Sequence, residues 1–287
     1  GIMTLRHLEI FMSVYHQKSI TKAAKELHIS QPSVSLAIKE LEEKYQTILF
    51  DRMNRQIYPT EKAHLLYNHS MQILSSLENM ENEMYNDQVK SISFGCSMTL
   101  SQVFLPHFLK TLKEKYPTID FHINVNNLKE IENQLLKNEI DFALIETLPL
   151  HQLHKMPFYQ DELVIIVNKK HPLLKTNNLK ELENYDYYSR EKGSSIYELV
   201  QSYFISYKLD IHPSIECVNP SSLIELVRYN NGFTILPSSL VKKEKEIALI
   251  KNKDFYIQRT YHIVMHKDKK LSSIYQEIFE LIKNYPK

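Results

Sequence analysis

Cysteine is scarce. Cys96 and Cys217 are the only two in 287 residues, with no CxxC spacing between them, which argues against a disulfide scaffold or a structural zinc site and suits a reducing, cytoplasmic compartment. An excess of one charge is missing too. Thirty-five Lys+Arg against 34 Asp+Glu leave a formal charge of +1, so no bulk field advertises nucleic acid, membrane or acidic substrate. Any such partner must be read from a local surface. No run of about 18 apolar residues occurs, and no charged start leads into an apolar core with a cleavage site, which disfavours membrane spanning and secretion. Met3 follows Gly1 and Ile2 and is read as the natural start behind a tag remnant. The sequence has no GxSxG, Walker loop, dinucleotide fingerprint or HExxH, a weak argument against an enzyme.

What is present suffices for two or three domains, since 43% of the chain is hydrophobic. Leu5, Leu8, Phe11, Met12 and Tyr15 share one face of a helix. Ser19 or Ile20 then leads through Thr21 into a short second helix marked by Ala23, Ala24 and Leu27. Ser30-Gln31-Pro32 joins a cap-competent serine to a first-turn proline, and Val34, Ile38, Leu41 and Tyr45 continue as an apolar stripe, giving a third helix after a tight turn. Residues 48–60 read as a β-wing: Leu49 and Phe50 an anchor, Asp51 to Asn54 the turn, Gln56 to Tyr58 a returning strand. From Glu61 to about Asn86 neither glycine nor proline interrupts a long helix. Ala63, Ser70, Leu77 and Met84 alternate there with Leu66, Ile73 and Met80 at heptad spacing. Self-association is the preferred use of that seam; the alternative is docking on its own domain.

Beyond Val89 short apolar runs alternate with helical patterns, the texture of βα units around a largely parallel sheet. Strands are expected at Ser91 to Gly95, Phe121 to Val125, Asp141 to Ile145, Leu163 to Asn168, Tyr185 to Ser189, Ser214 to Val218, Phe233 to Leu236 and Arg259 to His266. One helix is expected from Leu100 to Tyr116, others from Leu128, Tyr197, Ser222 and Ile274. Residues 123–145 align without gaps on 215–237, each reading strand, Asn, helix, Asn-rich break, strand, which implies two similar α/β subdomains.

Three helices and a wing form the geometry that lays a recognition helix in the major groove of double-stranded DNA. Residues 1–60 carry eight Lys/Arg against six acids, so placement matters more than excess. Ser30, Gln31, Ser33 and Ser35 open the third helix, where hydroxyls and amides meet phosphates and base edges, and Arg52 and Arg55 flank the wing turn. With Thr21, Pro32 and Lys39 they are the expected DNA contacts. Each taken singly also reads as a plain helix cap or a solvated charge; the ensemble does not.

SITKAAKELHISQPSVSLAIKELEEKYQTILFDRMNRQIYPTEKA resembles the winged helix-turn-helix of the LysR-type transcriptional regulators, and the helical seam and paired α/β subdomains extend the resemblance over essentially the whole chain. The resemblance implies an α/β protein with an all-α winged helix-turn-helix N-terminal domain at 3–60 and a dimerising linker helix at 61–88. An effector-binding region follows at 89–287, two α/β subdomains resembling type 2 periplasmic binding proteins. Subdomain I takes about 89–161 plus 267–287, subdomain II about 162–266. It further implies a homodimer through residues 61–86, assembly into a homotetramer, a small-molecule effector with no other cofactor or metal, RNA polymerase as a further partner, and no membrane. Leu36 and Ala37 stand where the family often carries Arg and Gln, removing two DNA contacts.

Helix starts at strand ends suit a small anion. Four junctions carry the right residues: Ser97-Met98-Thr99, Asn126-Asn127, Gly193-Ser194-Ser195, and Asn219 with Ser221-Ser222. Each alone is an ordinary cap before it is a ligand. GCSMTLSQVFLP and REKGSSIYEL are similar to family segments whose Ser/Thr positions touch the effector, which makes Ser97, Thr99, Ser194 and Ser195 the first choices. A thiol switch at Cys96 or Cys217, as in the family's peroxide sensors, is set below inert buried cysteine. His151 and His154, an HxxH in a proline-flanked loop, read as solvent-facing rather than metal-binding. The enzymatic alternative is a winged helix joined to a catalytic α/β domain.

Overall fold

A computed structural model describes residues 2–84, 89–146 and 152–286. The chain divides into two compact units, residues 1–89 with 266–276 and residues 90–265 with 277–287.

In the first unit α1 (Leu5–Gln17), α2 (Ile20–Glu26) and α3 (Gln31–Tyr45) bury Phe11, Val14, Ala23, Ala24, Val34, Ile38 and Leu41 in one apolar cluster. Small Ala23 and Ala24 let the neighbouring helices approach. Capping fixes where each helix begins: the Ser19 hydroxyl accepts from Lys22 N at 3.2 Å and that of Ser30 from Ser33 N at 3.2 Å, with Pro32 in the first turn of α3. The wing is a tighter hairpin than the sequence suggests. β1 (Phe50–Met53) and β2 (Gln56–Pro59) pair antiparallel with Met53 opposite Gln56, so the turn is Asn54-Arg55 alone and Asp51 to Met53 belong to the strand. Both turn residues have positive φ, 50° and 62°, the backbone that matches the twist of a two-residue hairpin.

The long helix α4 (Glu61–Met84) forms as expected up to its last described residue; 85–88 lie outside the described residues. Its seam divides in a way the heptad count did not anticipate. Ala63, Tyr67, Ser70, Met71 and Ser75 are buried, three of them in the core of the unit itself, while Leu65, Ile73, Met80 and Met84 stay exposed. The 3.6-residue period carries the apolar residues over two faces, one docked at home and one free.

The second unit is built on a nine-stranded sheet. Its strands are β3 (Ser91–Cys96), β4 (Asp120–Val125), β5 (Phe142–Glu146), β6 (Leu153–Asn168), β7 (Tyr187–Arg190), β8 (Pro213–Cys217), β9 (Phe233–Pro237), β10 (Ile247–Ile250) and β11 (Ile257–His266). The order is β4-β3-β5-β11-β6-β9-β7-β8, with β10 on β6. Helices α5 (Met98–Val103), α6 (Leu105–Lys115), α7 (Leu128–Leu136), α8 (Ser195–Ser206), α9 (Pro220–Tyr229) and α10 (Ser273–Asn284) complete the elements.

The internal repeat is visible as topology. β4 and β5 flank β3 in parallel at one end of the sheet, and β8 and β9 flank β7 in parallel at the other. The sheet is nevertheless mixed, because β6 runs antiparallel to β9 and β10, and β11 antiparallel to β5. β10 carried no sequence signal that distinguished it. The helix expected from Leu100 to Tyr116 is two: Pro106 lacks the N–H that would continue the ladder, and the chain breaks at Phe104 before α6 begins. His154 is exposed on β6 rather than in a loop, and His151 lies outside the described residues.

Gly232 marks a close approach. A Cβ there would lie 2.5 Å from Cζ of buried Tyr188. Gly232→Ala is therefore expected to displace that ring and cost about 1–3 kcal/mol, read as a lowered denaturant midpoint at unchanged slope.

Candidate functional site

The first unit presents one face of α3 to solvent. Val34, Ala37, Ile38 and Leu41 fill the core, and this leaves Gln31, Pro32, Ser33 and Lys39 exposed, Ser35 half-buried and Ser30 exposed at the cap. Thr21 on α2 is exposed, as are Arg52 and Arg55 on the wing. The nine expected DNA contacts are thus accessible on α2, the start of α3 and the wing. Two qualifications follow from the side chains. Ser30 serves as the cap of α3 and exchanges a 2.7 Å hydrogen bond with the Ser33 hydroxyl, so these two arrive partly satisfied. Of the two departures from the family pattern, Ala37 is a core residue, whereas Leu36 is 55% exposed on the solvent face of α3.

In the second unit the carboxyl ends of parallel strands open onto a cavity of about 560 Å³. Of the ten expected effector contacts, Ser97, Met98, Thr99, Asn126, Asn127, Gly193, Ser194 and Ser195 line it; Asn219 and Ser221 do not. Asn219 instead caps α9 by accepting from Ser221 N at 2.9 Å. The lining residues divide by what their side chains already do. Ser97, Asn127 and Ser194 cap helices, accepting from Leu100 N, Glu130 N and Tyr197 N, and keep their own O–H or N–H groups to donate. Thr99, 1% exposed, lines the cavity with no hydrogen-bond partner among the described residues. Ser195 Oγ accepts from Arg259 Nη1 at 2.9 Å. Gly193, at φ +94°, takes the left-handed backbone that a Cβ would strain, ahead of the α8 start.

The charged residues were missed from the sequence. Lys129, Glu146, Arg190, Glu191, Lys192 and Arg259 all line the cavity. Arg259 on β11 forks onto Asp161 on β6, Nε to Oδ1 at 3.1 Å and Nη2 to Oδ2 at 2.7 Å, while its Nη1 reaches Glu146 Oε1 on β5 at 3.4 Å. Tyr261 donates to Asp161 at 2.6 Å. Arg190 is held by its neighbour Glu191, Nε to Oε2 at 2.9 Å and Nη2 to Oε1 at 3.2 Å. Burial drives the Glu146 carboxyl above its ordinary 4.5, with the Arg259 guanidinium opposing. Arg190-Glu191 stand beside the serine motif and could have been found; Arg259 pairs across 98 and 113 positions, with no local mark.

Cys96 is fully buried at the end of β3, and burial pushes its thiol well up, away from the reactive thiolate; Cys217 is half-buried in β8. Neither lines the cavity. Among the described residues no cluster of three metal-ligating side chains occurs, and no helix is long and apolar enough to cross a membrane.

Comparison with known proteins adds two family matches. A model described as bacterial regulatory helix-turn-helix protein, lysR family, matches residues 5–64, and one described as LysR substrate binding domain matches residues 86–286. The HTH-type transcriptional regulator CysL of Bacillus subtilis (strain 168) is 30% identical over 286 residues, covering 96% of this chain and 92% of that protein. A full-length OxyR variant from Pseudomonas aeruginosa has the same fold, at TM-score 0.71 and 17% identity over 99% of this chain and 94% of that one. The regulatory domain of CcmR from Synechocystis PCC6803, solved in complex with 2-PG, superposes at TM-score 0.63 and 24% identity, covering 69% of this chain and 99% of that domain.

A carboxyl raised in the folded state stabilises the fold in acid, and that contribution is lost as pH climbs from the unfolded value through the folded one. Glu146→Gln removes the titration. Relative to Glu146→Gln, the wild-type chain is expected to lose stability as pH rises from acid toward neutral, measured as the difference in urea midpoints at a series of pH values.

Proposed function

Because the chain belongs to the LysR family of bacterial helix-turn-helix regulators, we propose that its α3 reads double-stranded DNA while a small anionic metabolite in the cavity of the second unit adjusts that binding. The observation that carries the reading is the start of α3: its apolar stripe is buried, and the Gln31 to Ser33 turn stands free with Arg52 and Arg55 on the nearby wing. Ser33, Ser35 and Gln31 suit base edges and phosphates; Thr21, Lys39, Arg52 and Arg55 suit the backbone; Ser30 and Pro32 set the helix start. The relative solved with 2-PG supports an anionic effector by analogy.

The domain assignment follows: DNA reader at 3–60, linker at 61–88, effector region at 89–287, itself in two subdomains of about 89–161 plus 267–287 and about 162–266. The exposed Leu65, Ile73, Met80 and Met84 face of α4 supports a homodimer through residues 61–86, with pairs of dimers forming a tetramer on a pseudo-palindromic site. Effector bound between the subdomains changes their mutual angle and, through the paired helices, the spacing of the two recognition helices. The chain acts with RNA polymerase in the cytoplasm as a regulator and not as a catalyst. Ser97, Thr99, Ser194 and Ser195 are the foremost effector contacts, since each hydroxyl lines the cavity and keeps its O–H to donate, whereas Asn219 and Ser221 do not line it.

Gel-shift titration against the chain's own upstream DNA tests the first half. Arg52→Ala and Arg55→Ala are expected to weaken binding uniformly across sequences and to lower the slope of log affinity against log salt by about 0.9 each; unchanged slopes remove the wing from the interface. The second half is tested by Ser195→Ala. It is expected to cut the effector response at least about tenfold while leaving effector-free DNA affinity unchanged; equal loss of both overturns the division.

A further inference from the structure

Of the three carboxylates bonded to the two arginines at the cavity, Glu146 is the least closely held among the described residues. Arg190 is matched by Glu191 through two bonds, and Arg259 by Asp161 through two more. Among the described residues Glu146, 7% exposed, receives from a cation the single long 3.4 Å contact to Arg259 Nη1, whose shorter bond goes to Ser195; Arg190 acts on it through charge alone, and its own backbone N–H holds it. A carboxylate offers about four lone-pair sites, so Glu146 keeps accepting capacity at the cavity surface. The remaining cations, Lys129 and Lys192, are both exposed.

An oxyanion that can only accept hydrogen bonds would find Thr99 and Ser195 usable but would set its oxygens against those of Glu146. With Glu146 ionised and 7% exposed, water relieves such a clash poorly. A ligand with an O–H or N–H beside its negative charge turns the same carboxylate into a partner.

Resting on the reading of this cavity as the effector site, we propose that Glu146 selects anions that also carry a hydrogen-bond donor, either a protonated oxyanion or a zwitterion, and rejects acceptor-only anions. A site built to pair with a donor discriminates strongly against the analogue lacking it, because the buried acceptor is left unsatisfied.

Hydrogen phosphate and sulfate test this on the full chain. At about pH 8 both are tetrahedral dianions, and they differ by one O–H; glycine supplies the ammonium arm. Calorimetric titration of the wild-type chain is expected to show hydrogen phosphate or glycine binding at least about tenfold more tightly than sulfate; whichever wins tells a hydroxyl donor from an ammonium donor. Glu146→Gln, whose amide donates as well as accepts, is expected to bring sulfate to within about threefold of hydrogen phosphate. Sulfate equalling both donor-bearing probes in the wild type, or no binding of either donor-bearing probe at millimolar concentration, overturns the proposal. So does a ratio unmoved by Glu146→Gln while Thr99→Val weakens every probe, an outcome that leaves the cavity standing as the effector site. If Thr99→Val and Ser195→Ala alter no titration, the probes bind elsewhere and the cavity reading falls together with the selection.

Discussion

A guanidinium cannot shed its proton inside a protein, so a buried arginine dictates what must surround it. Arg259 is 4% exposed, and it gathers Asp161 from β6, Glu146 from β5, Tyr261 from its own strand and Ser195 from the start of α8. Residues from four elements are fixed about one planar group. The two strands that join the repeated halves of the sheet, β6 and β11, are tied by the two-bond fork of Arg259 on Asp161. The polar inventory of the cavity descends from that arrangement. Because Asp161 occupies the fork of Arg259, Glu146 is left with spare lone pairs, and Ser195 is oriented by its bond to Nη1.

The first unit obeys a different economy. A helix of fifteen residues supplies both a core stripe and a solvent face, so each position is committed to one or the other. Position 37 is spent on packing and position 36 on the surface, so the two neighbouring positions of one motif serve different ends. The same division recurs on α4, whose Ala63, Tyr67 and Met71 anchor it at home while Ile73 and Met80 remain outward.

Most of the architecture was legible because it is local. Ser19 and Ser30 announce helix starts by their place before apolar periodicity, and the repeat of 123–145 in 215–237 reappears as two parallel three-strand arrangements with Asn127 and Asn219 capping equivalent helices. Errors arose where one residue outweighed a pattern, as Pro106 did in splitting a helix, or where strands with no helical partner, β6 and β11, reversed direction in an apparently parallel sheet. The candidate site was half legible. Hydroxyl and amide residues sit in motifs beside helix starts, whereas Arg259, Asp161 and Glu146 become neighbours only when strands far apart in sequence align.

The duplicated scaffold also carries a lesson in handedness. Corresponding stations on the two halves do not match: Asn126 faces the cavity from one side and Val218 from the other, while Asn127 lines it and its counterpart Asn219 turns away. A molecule with two identical ends would find a welcome for only one of them. The cleft therefore presents unlike head and tail ends although its walls repeat one topology.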